Sequence, residues 1–225
     1  MFGRLKEWIA LKKLSGADRK TIFAHHYRTN FWGDQESLSG PGSSLKYTEN
    51  LRAHLPGLLS DLGVKTFLDA PCGDFNWMRM VELPEGVQYH GCDIVPELVD
   101  RLQKEYGDDR RRFSVLDIVD DEIPRADLWM CRDVLFHLNN REVFRVLKKF
   151  ADSEIPWLLT TSHRQGKNQD TTTGGFRLLN LEAAPFGLPP AERYIADSID
   201  GFPDRCIGLW SNAALKTWVQ FQGEV

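Results

Sequence analysis

Four aspartates each close a short apolar run: Asp69 ends VKTFLD, Asp93 ends QYHGCD, Asp117 ends RRFSVLD and Asp133 ends ADLWMCRD. Asp93 lies 24 positions (93 minus 69) beyond Asp69. At the end of a second strand, such an acid can accept hydrogen bonds from both hydroxyls of a ribose. Asp117 would sit level with a purine ring; its carboxylate can accept from an exocyclic amine while the backbone N–H of Ile118 donates to a ring nitrogen. In LDAPCGDF, Gly73 lets the backbone approach a ligand with no side chain in the way. Pro71 and Phe75 stand where a dinucleotide turn would place further glycines, and no G-x-x-x-x-G-K-[ST] loop occurs, so a phosphate cradle is absent. Acids without a cradle fit a cationic, phosphate-free nucleoside.

Proton chemistry points to Asp133, His137 and His163. Asp133 and His137 are four apart in RDVLFHL, so a helical turn would place them on one face above the site. His137 is suited either to take a proton from a hydroxyl or to line the pocket as a hydrogen-bonded wall; His163 is the other candidate base. Cys72 reads as a small packing residue, having no paired histidine beside it. Asp133 has no second and third ligand near it in sequence, so no metal is expected. Tyr27, Asn30, Trp32 and Glu36 form a polar and aromatic set that can close over ligand or pack on the sheet edge.

These residues need elements to position them. The runs named above, with PWLLTTSH, alternate with helical patterns over PELVDRLQKEYG and NREVFRVLKKFADS. That alternation predicts parallel strands joined by right-handed crossovers and covered on both faces, an α/β, Rossmann-like, doubly wound sheet. FNWMRMVEL reads as a further helix. ERYIADSI and RCIGLWS form a candidate terminal antiparallel hairpin, and the polar stretch from His163 to about Gly175 reads as a loop over the site. Before the core, Ile22, Phe23, His26 and Tyr27 share a helical face, TNFWGDQESLSGPGSS reads as loop, and a helix resumes near Ser44, with Pro56 expected to kink or restart it and Gly63 to cap it. The division is therefore an N-terminal helical extension and lid over 1–62 and the ligand-binding domain over 63–225.

The 28 basic and 32 acidic residues give a net charge of −4, with no basic stripe of the kind that grips nucleic acid through phosphates. Cys72, Cys92, Cys131 and Cys206 form no C-x-x-C pair, which favours reduced thiols and a cytoplasmic location. The basic amphipathic start around Leu5, Trp8, Ile9 and Leu14 has no apolar h-region, and no membrane-spanning run follows; a helix lying on its own domain is expected.

LDAPCGDF, IVPELVDRL and CRDVLFHL resemble the first-motif, second-strand and fourth-strand segments of the class I S-adenosylmethionine-dependent methyltransferases, over about 64–163. The resemblance implies a mostly parallel seven-stranded sheet ending in a reversed hairpin. It also implies cofactor contacts at Asp69, Gly73, Asp93 and Asp117, with Ala70, Cys72, Ile94, Ile118, Arg132 and Trp32 beside them. The implied reaction is methyl transfer to an oxygen or nitrogen of a small molecule. The extension YRTNFWGDQESLSGPGSS is similar to that of a bacterial subgroup found among carbohydrate genes, which makes a sugar or glycan a candidate acceptor. No Asn/Asp-Pro-Pro-Tyr sequence follows the fourth strand, which argues against nucleic-acid amines. A non-catalytic nucleoside-binding module, an oxidoreductase and a glycosyl transferase on a similar fold stay open as alternatives.

Overall fold

In the computed structural model, residue 12 and residues 14–221 are described; the amphipathic start over Leu5, Trp8 and Ile9 lies outside them. Seven strands build one sheet: β1 (Thr66–Asp69), β2 (Gln88–Asp93), β3 (Arg111–Val115), β4 (Leu128–Cys131), β5 (Trp157–His163), β6 (Arg193–Ala196) and β7 (Arg205–Ser211). Their order is β3-β2-β1-β4-β5-β7-β6. The first five are parallel, and β7 runs antiparallel between β5 and β6. This is the mostly parallel, doubly wound sheet with a reversed hairpin that the alternating pattern predicts.

Side chains alternate across each strand and feed two cores. Phe67, Tyr89, Phe113 and Met130 pack under helices α2 (Glu49–Asp61) and α3 (Pro96–Tyr106). Leu68, Cys92, Trp129 and Cys131 pack on the other face, under α4 (Asn140–Asp152) and α5 (Asn212–Gln220). Helix α4 starts with a capping box, in which the Asn139 side chain accepts from the Glu142 N–H and the Glu142 side chain accepts from the Asn139 N–H. A further helix, α1 (Arg19–Arg28), is capped by Asp18, which accepts from the Thr21 N–H at 2.7 Å.

Two local expectations need correction. FNWMRMVEL holds only a 3-10 turn, Met78–Met80, because Gly73 (φ 56) and Phe75 (φ 63) both take the left-handed conformation and bend the chain where a helix would begin. The helix expected from Ser44 begins at Glu49 and runs as one element through Pro56 without restarting; burial of Leu51, Leu55, Leu58 and Leu59 holds it together. Gly63 takes φ 63 just past its end, as a capping glycine does.

The strand order reverses between β1 and β4. In open α/β sheets the crevice at that switch point, beyond the carboxyl ends of the strands, is where ligands bind. Residues 29–48 form a strap across it.

Candidate active site

A cavity with about 1000 Å³ of atom-free space, part of it open to solvent, lies over the switch point. Asp69, Cys72, Gly73, Asp93, Ile94, Asp117, Ile118, Arg132, Asp133 and His137 all line it, and Trp32 reaches it from the strap. Residues from the ends of four strands are thus brought to one cavity. Ala70 is not on the wall; it is fully buried, its N–H donating to Met130 O and its carbonyl accepting from Trp129 Nε1.

The floor is acidic. Asp69 is 2% exposed and accepts from the Tyr89 hydroxyl at 2.7 Å. Burial pushes its carboxyl up to about 7, against the opposing pull of Tyr89 and Arg132. Asp93 accepts from the Val95 N–H at 3.0 Å and the Gly73 N–H at 3.2 Å. Burial outweighs these bonds and raises it to about 6. Beyond the end of β3, Asp117 accepts from the Val119 N–H at 2.9 Å and from Arg19 Nε at 2.9 Å. Arg19 continues to Glu142 at 2.9 Å and to Asp120, so one guanidinium ties α1 to three acids. Burial works against the charge of Arg19, and these acids outweigh it, raising its pKa.

The open side of Gly73 proves to be used by the protein. A Cβ there would fall 2.4 Å from Ser39 Oγ, so the glycine admits the strap. Asp74 secures it, accepting from the Leu38 N–H at 2.7 Å and the Ser37 hydroxyl at 3.0 Å. At the far side of the crevice, Arg132 donates to Gly42 O at 2.7 Å, and a Cβ on Gly42 would meet Asp133 Oδ2 at 2.6 Å. Asn30 and Glu36 serve the strap itself: Asn30 donates to Asp34 O, and Glu36 accepts from the Leu45 N–H and Asn76 Nδ2.

Of the three candidate bases, His137 is a neutral ring on the cavity wall. It follows β4 on a 3-10 turn, Leu135–His137, and its Nδ1 lies 2.7 Å from Gly175 O. A carbonyl only accepts, so Nδ1 carries the proton and Nε2 keeps its lone pair. Burial lowers its pKa to about 4, keeping the ring neutral. Asp133 is corrected: Arg205 donates to it at 2.6 Å, Arg132 lies 3.3 Å away and Thr161 donates at 3.0 Å. Burial alone would raise its pKa, but the two guanidiniums outweigh it and hold the group well below the carboxylate range, leaving a poor proton acceptor. His163 is corrected too. It is 1% exposed and absent from the cavity wall, with Nδ1 accepting from the Leu179 N–H at 3.3 Å and Phe136 and Phe202 packed over it.

Several wall residues escaped the sequence reading. His26 donates through Nε2 to Gly174 O at 2.9 Å and stacks on Phe31. Trp77 is 5% exposed, belongs to the core under α2 and α3, and also faces the cavity, with the Arg132 guanidinium over its ring. Arg19, Ser39 and Ser43 also line it. Only the glycines of GPGSS signalled any of this, as positions where something must come close.

No protein-family model matches the sequence, and no curated protein matches it. Solved structures do. The mitomycin 7-O-methyltransferase MmcR is similar at TM-score 0.62 and 16% identity, over 93% of this chain and 67% of that one. An O-methyltransferase family protein from Burkholderia thailandensis is similar at TM-score 0.57 and 17% identity, over 91% and 68%. PigF, solved with SAH, is similar at TM-score 0.55 and 14% identity, over 89% and 72%. The fold is that of the class I S-adenosylmethionine-dependent methyltransferases.

Proposed function

We propose that this chain binds S-adenosylmethionine in the switch-point cavity and transfers its methyl group to an oxygen or nitrogen of a small molecule. The observation that carries the reading is the pair of buried carboxylates, Asp69 and Asp93, at the ends of adjacent strands beside a turn that offers no phosphate cradle. An acidic floor suits a ligand that is a nucleoside at one end and carries ammonium and sulfonium charge at the other. The similarity to PigF solved with SAH points the same way.

When bound, the cofactor would supply an electrophilic methyl on a positively charged sulfur. Asp93 would hold the ribose hydroxyls, Ile94 and Ile118 would cover the base, and Asp69 would face the amino-acid end. Trp32, packed on His137 at 4.3 Å, would help exclude water and orient the acceptor. Such alignment is worth up to about 7–11 kcal/mol in well-oriented systems. For a hydroxyl acceptor, His137 Nε2 would take the proton as the oxygen–carbon bond forms and the sulfur–methyl bond breaks, its electron pair staying on sulfur as a neutral thioether. An amine acceptor would need only positioning in its neutral form. Sugars and glycans are the acceptor class to screen first.

We further propose that residues 1–62 act as extension and lid over a transfer domain of 63–225, in a bacterial cytoplasm, where the four free cysteines would stay reduced. The test is calorimetry with S-adenosylmethionine, UDP-sugars and NAD. Binding of S-adenosylmethionine alone supports the reading; binding of either other ligand in its place rejects it.

A further inference from the structure

The strap crosses the crevice between two fixed points. One is the first turn, where Ser37, Leu38 and Ser39 seat on Gly73 and Asp74. The other is the end of β4, where Gly42 meets Arg132 and Asp133. The span between them, residues 39–43, therefore lies over the space between β1 and β4. Two serines of this span line the cavity, Ser39 and Ser43. Ser39 Oγ accepts from the Asp74 N–H at 2.8 Å, so its lone pair is engaged while its own hydrogen meets no acceptor among the described residues. Ser43 is 7% exposed, and its hydroxyl has no hydrogen-bond partner among the described residues; its backbone carbonyl accepts from Asn76 instead.

A hydroxyl hydrogen that meets no protein acceptor on a cavity wall is available to a ligand. What they face decides the ligand. The charged quartet at this end, Arg132 and Arg205 with Asp133 and Asp197, balances two positive against two negative charges and is bonded within itself. Arg132, the guanidinium on the cavity wall, is thus committed through all its nitrogens, and Arg205, whose Nε meets no partner among the described residues, lies off that wall. Asp69 and Asp93 add further negative charge below. A free anion would be repelled there, and a simple cation would leave the serine hydrogens unused. An amino acid carries ammonium and carboxylate on one carbon, so it needs acceptors and donors side by side. The floor supplies acceptors and the strap supplies donors.

Resting on the methyltransferase reading, we propose that Ser39 and Ser43 bind the carboxylate at the amino-acid end of the cofactor, so that the strap supplies a clamp that the glycine-poor first turn lacks. The ammonium then faces Asp69, and the strap becomes part of the cofactor site as well as its cover.

Two probes separate this from a role in holding the strap. S-adenosylhomocysteine carries the amino acid, whereas methylthioadenosine keeps the nucleoside and sulfur and lacks it. By calorimetry, Ser39→Ala and Ser43→Ala should each weaken S-adenosylhomocysteine by about tenfold, the loss expected for one hydrogen bond to a charged group. Methylthioadenosine affinity should stay the same. Ser37→Ala, which loosens the seat on Asp74 outside the cavity wall, is the control and should treat both probes alike. Unchanged S-adenosylhomocysteine affinity in both cavity variants overturns the clamp, as does a parallel loss of both probes. If the wild type binds neither probe, the methyltransferase reading falls and the clamp falls with it, which distinguishes the two failures.

Discussion

Asp69 and Asp93 at the base of the crevice sit on strand ends whose neighbours are almost wholly buried, Phe67 and Leu68 at 1% and Cys92 at 0%. Each is held by close contacts to the first two strands and the turn between them. The strap above is attached differently. Its fixed points are mostly polar, Asp74 to Ser37 and Leu38, Arg132 to Gly42, and, through α1, Arg19 to Asp117, Asp120 and Glu142, with the ring contacts of Trp32 to His137 and Phe31 to His26 added to them. A floor fixed by packing keeps its geometry whether or not ligand is present, whereas a roof fixed by a handful of polar contacts can open at modest cost. The floor is thus suited to chemistry and the roof to access, and perturbations of the two should differ in size.

The largest effect is expected at His137. If the acceptor is a hydroxyl, His137→Gln should lower turnover by about 10²-fold or more, the usual worth of general-base catalysis, with cofactor affinity nearly unchanged. Its low pKa, about 4, also places the ionisation well below neutrality, so turnover should show no acid limb from this residue near pH 6 or 7. Steady-state kinetics on the identified acceptor would check both points; near-wild-type turnover would assign His137 to the wall.

Next comes Asp93. Asp93→Ala should weaken S-adenosylmethionine binding by roughly 1.5–3 kcal/mol for each charged hydrogen bond lost. The same change removes the acceptor for the Gly73 and Val95 N–H groups, so thermal unfolding should be measured beside calorimetry. A variant that unfolds normally and binds normally would remove Asp93 from the cofactor site.

The strands carrying these residues were legible because a buried parallel strand writes its own signature, a continuous apolar run closed by an acid. Strands β1 to β4 carry that signature, while β5, the hairpin of β6 and β7, the switch from helix to strand near Val64 and the helices α3 and α4 follow from other local patterns, apolar runs without the acid and helical periodicity. The helix over FNWMRMVEL failed because left-handed backbone at Gly73 and Phe75 leaves no mark in hydrophobic periodicity. The roof was legible only as a loop with glycines. Arg19 and Asp117 are 98 residues apart, and no local pattern records a contact of that separation. Asp133 looked reactive for a related reason: its neutralising partner Arg205 lies 72 residues further on.

The floor also gives a pH dependence. Asp69, with an ordinary value of 3.8, is raised to about 7 by burial, so the native protein keeps it protonated below that pH while the unfolded chain has already released the proton. Between those two values the native state holds the extra proton, and the contribution of this carboxyl to stability is lost as pH rises through the window. Ligand binding has the opposite sign, because an ammonium group favours the ionised acid. Affinity for S-adenosylhomocysteine should therefore fall by up to about tenfold per pH unit as pH drops below 7, with Asp93 adding to the loss near its own value of about 6. Asp69→Asn should flatten the part of the curve nearest pH 7. A flat wild-type profile would show that the amino-acid end of the ligand lies elsewhere.

The smallest effect, and the one that tests the roof directly, is expected at Arg19. Its guanidinium is 15% exposed and its partners Asp117 and Glu142 are 19% and 11% exposed, so salt screens the contact partly, more than a buried pair and less than an open one. Arg19→Ala would free α1 from three acids at once without touching the floor. Hydrogen exchange in Arg19–Arg28 should then speed up, while the strands beneath keep their protection. Affinity for S-adenosylhomocysteine should fall by less than tenfold, because what is lost is closure, with the floor contacts intact. Arg19→Lys should rescue little, since one ammonium point charge cannot reach three carboxylates as a planar fork does. Raising the salt concentration should move the wild type toward the variant. Unchanged exchange in α1 would mean that Phe23 and Ala24, packed against the core, hold the helix by themselves, and the contrast between a packed floor and a polar-fastened roof would fail at this end of the cavity.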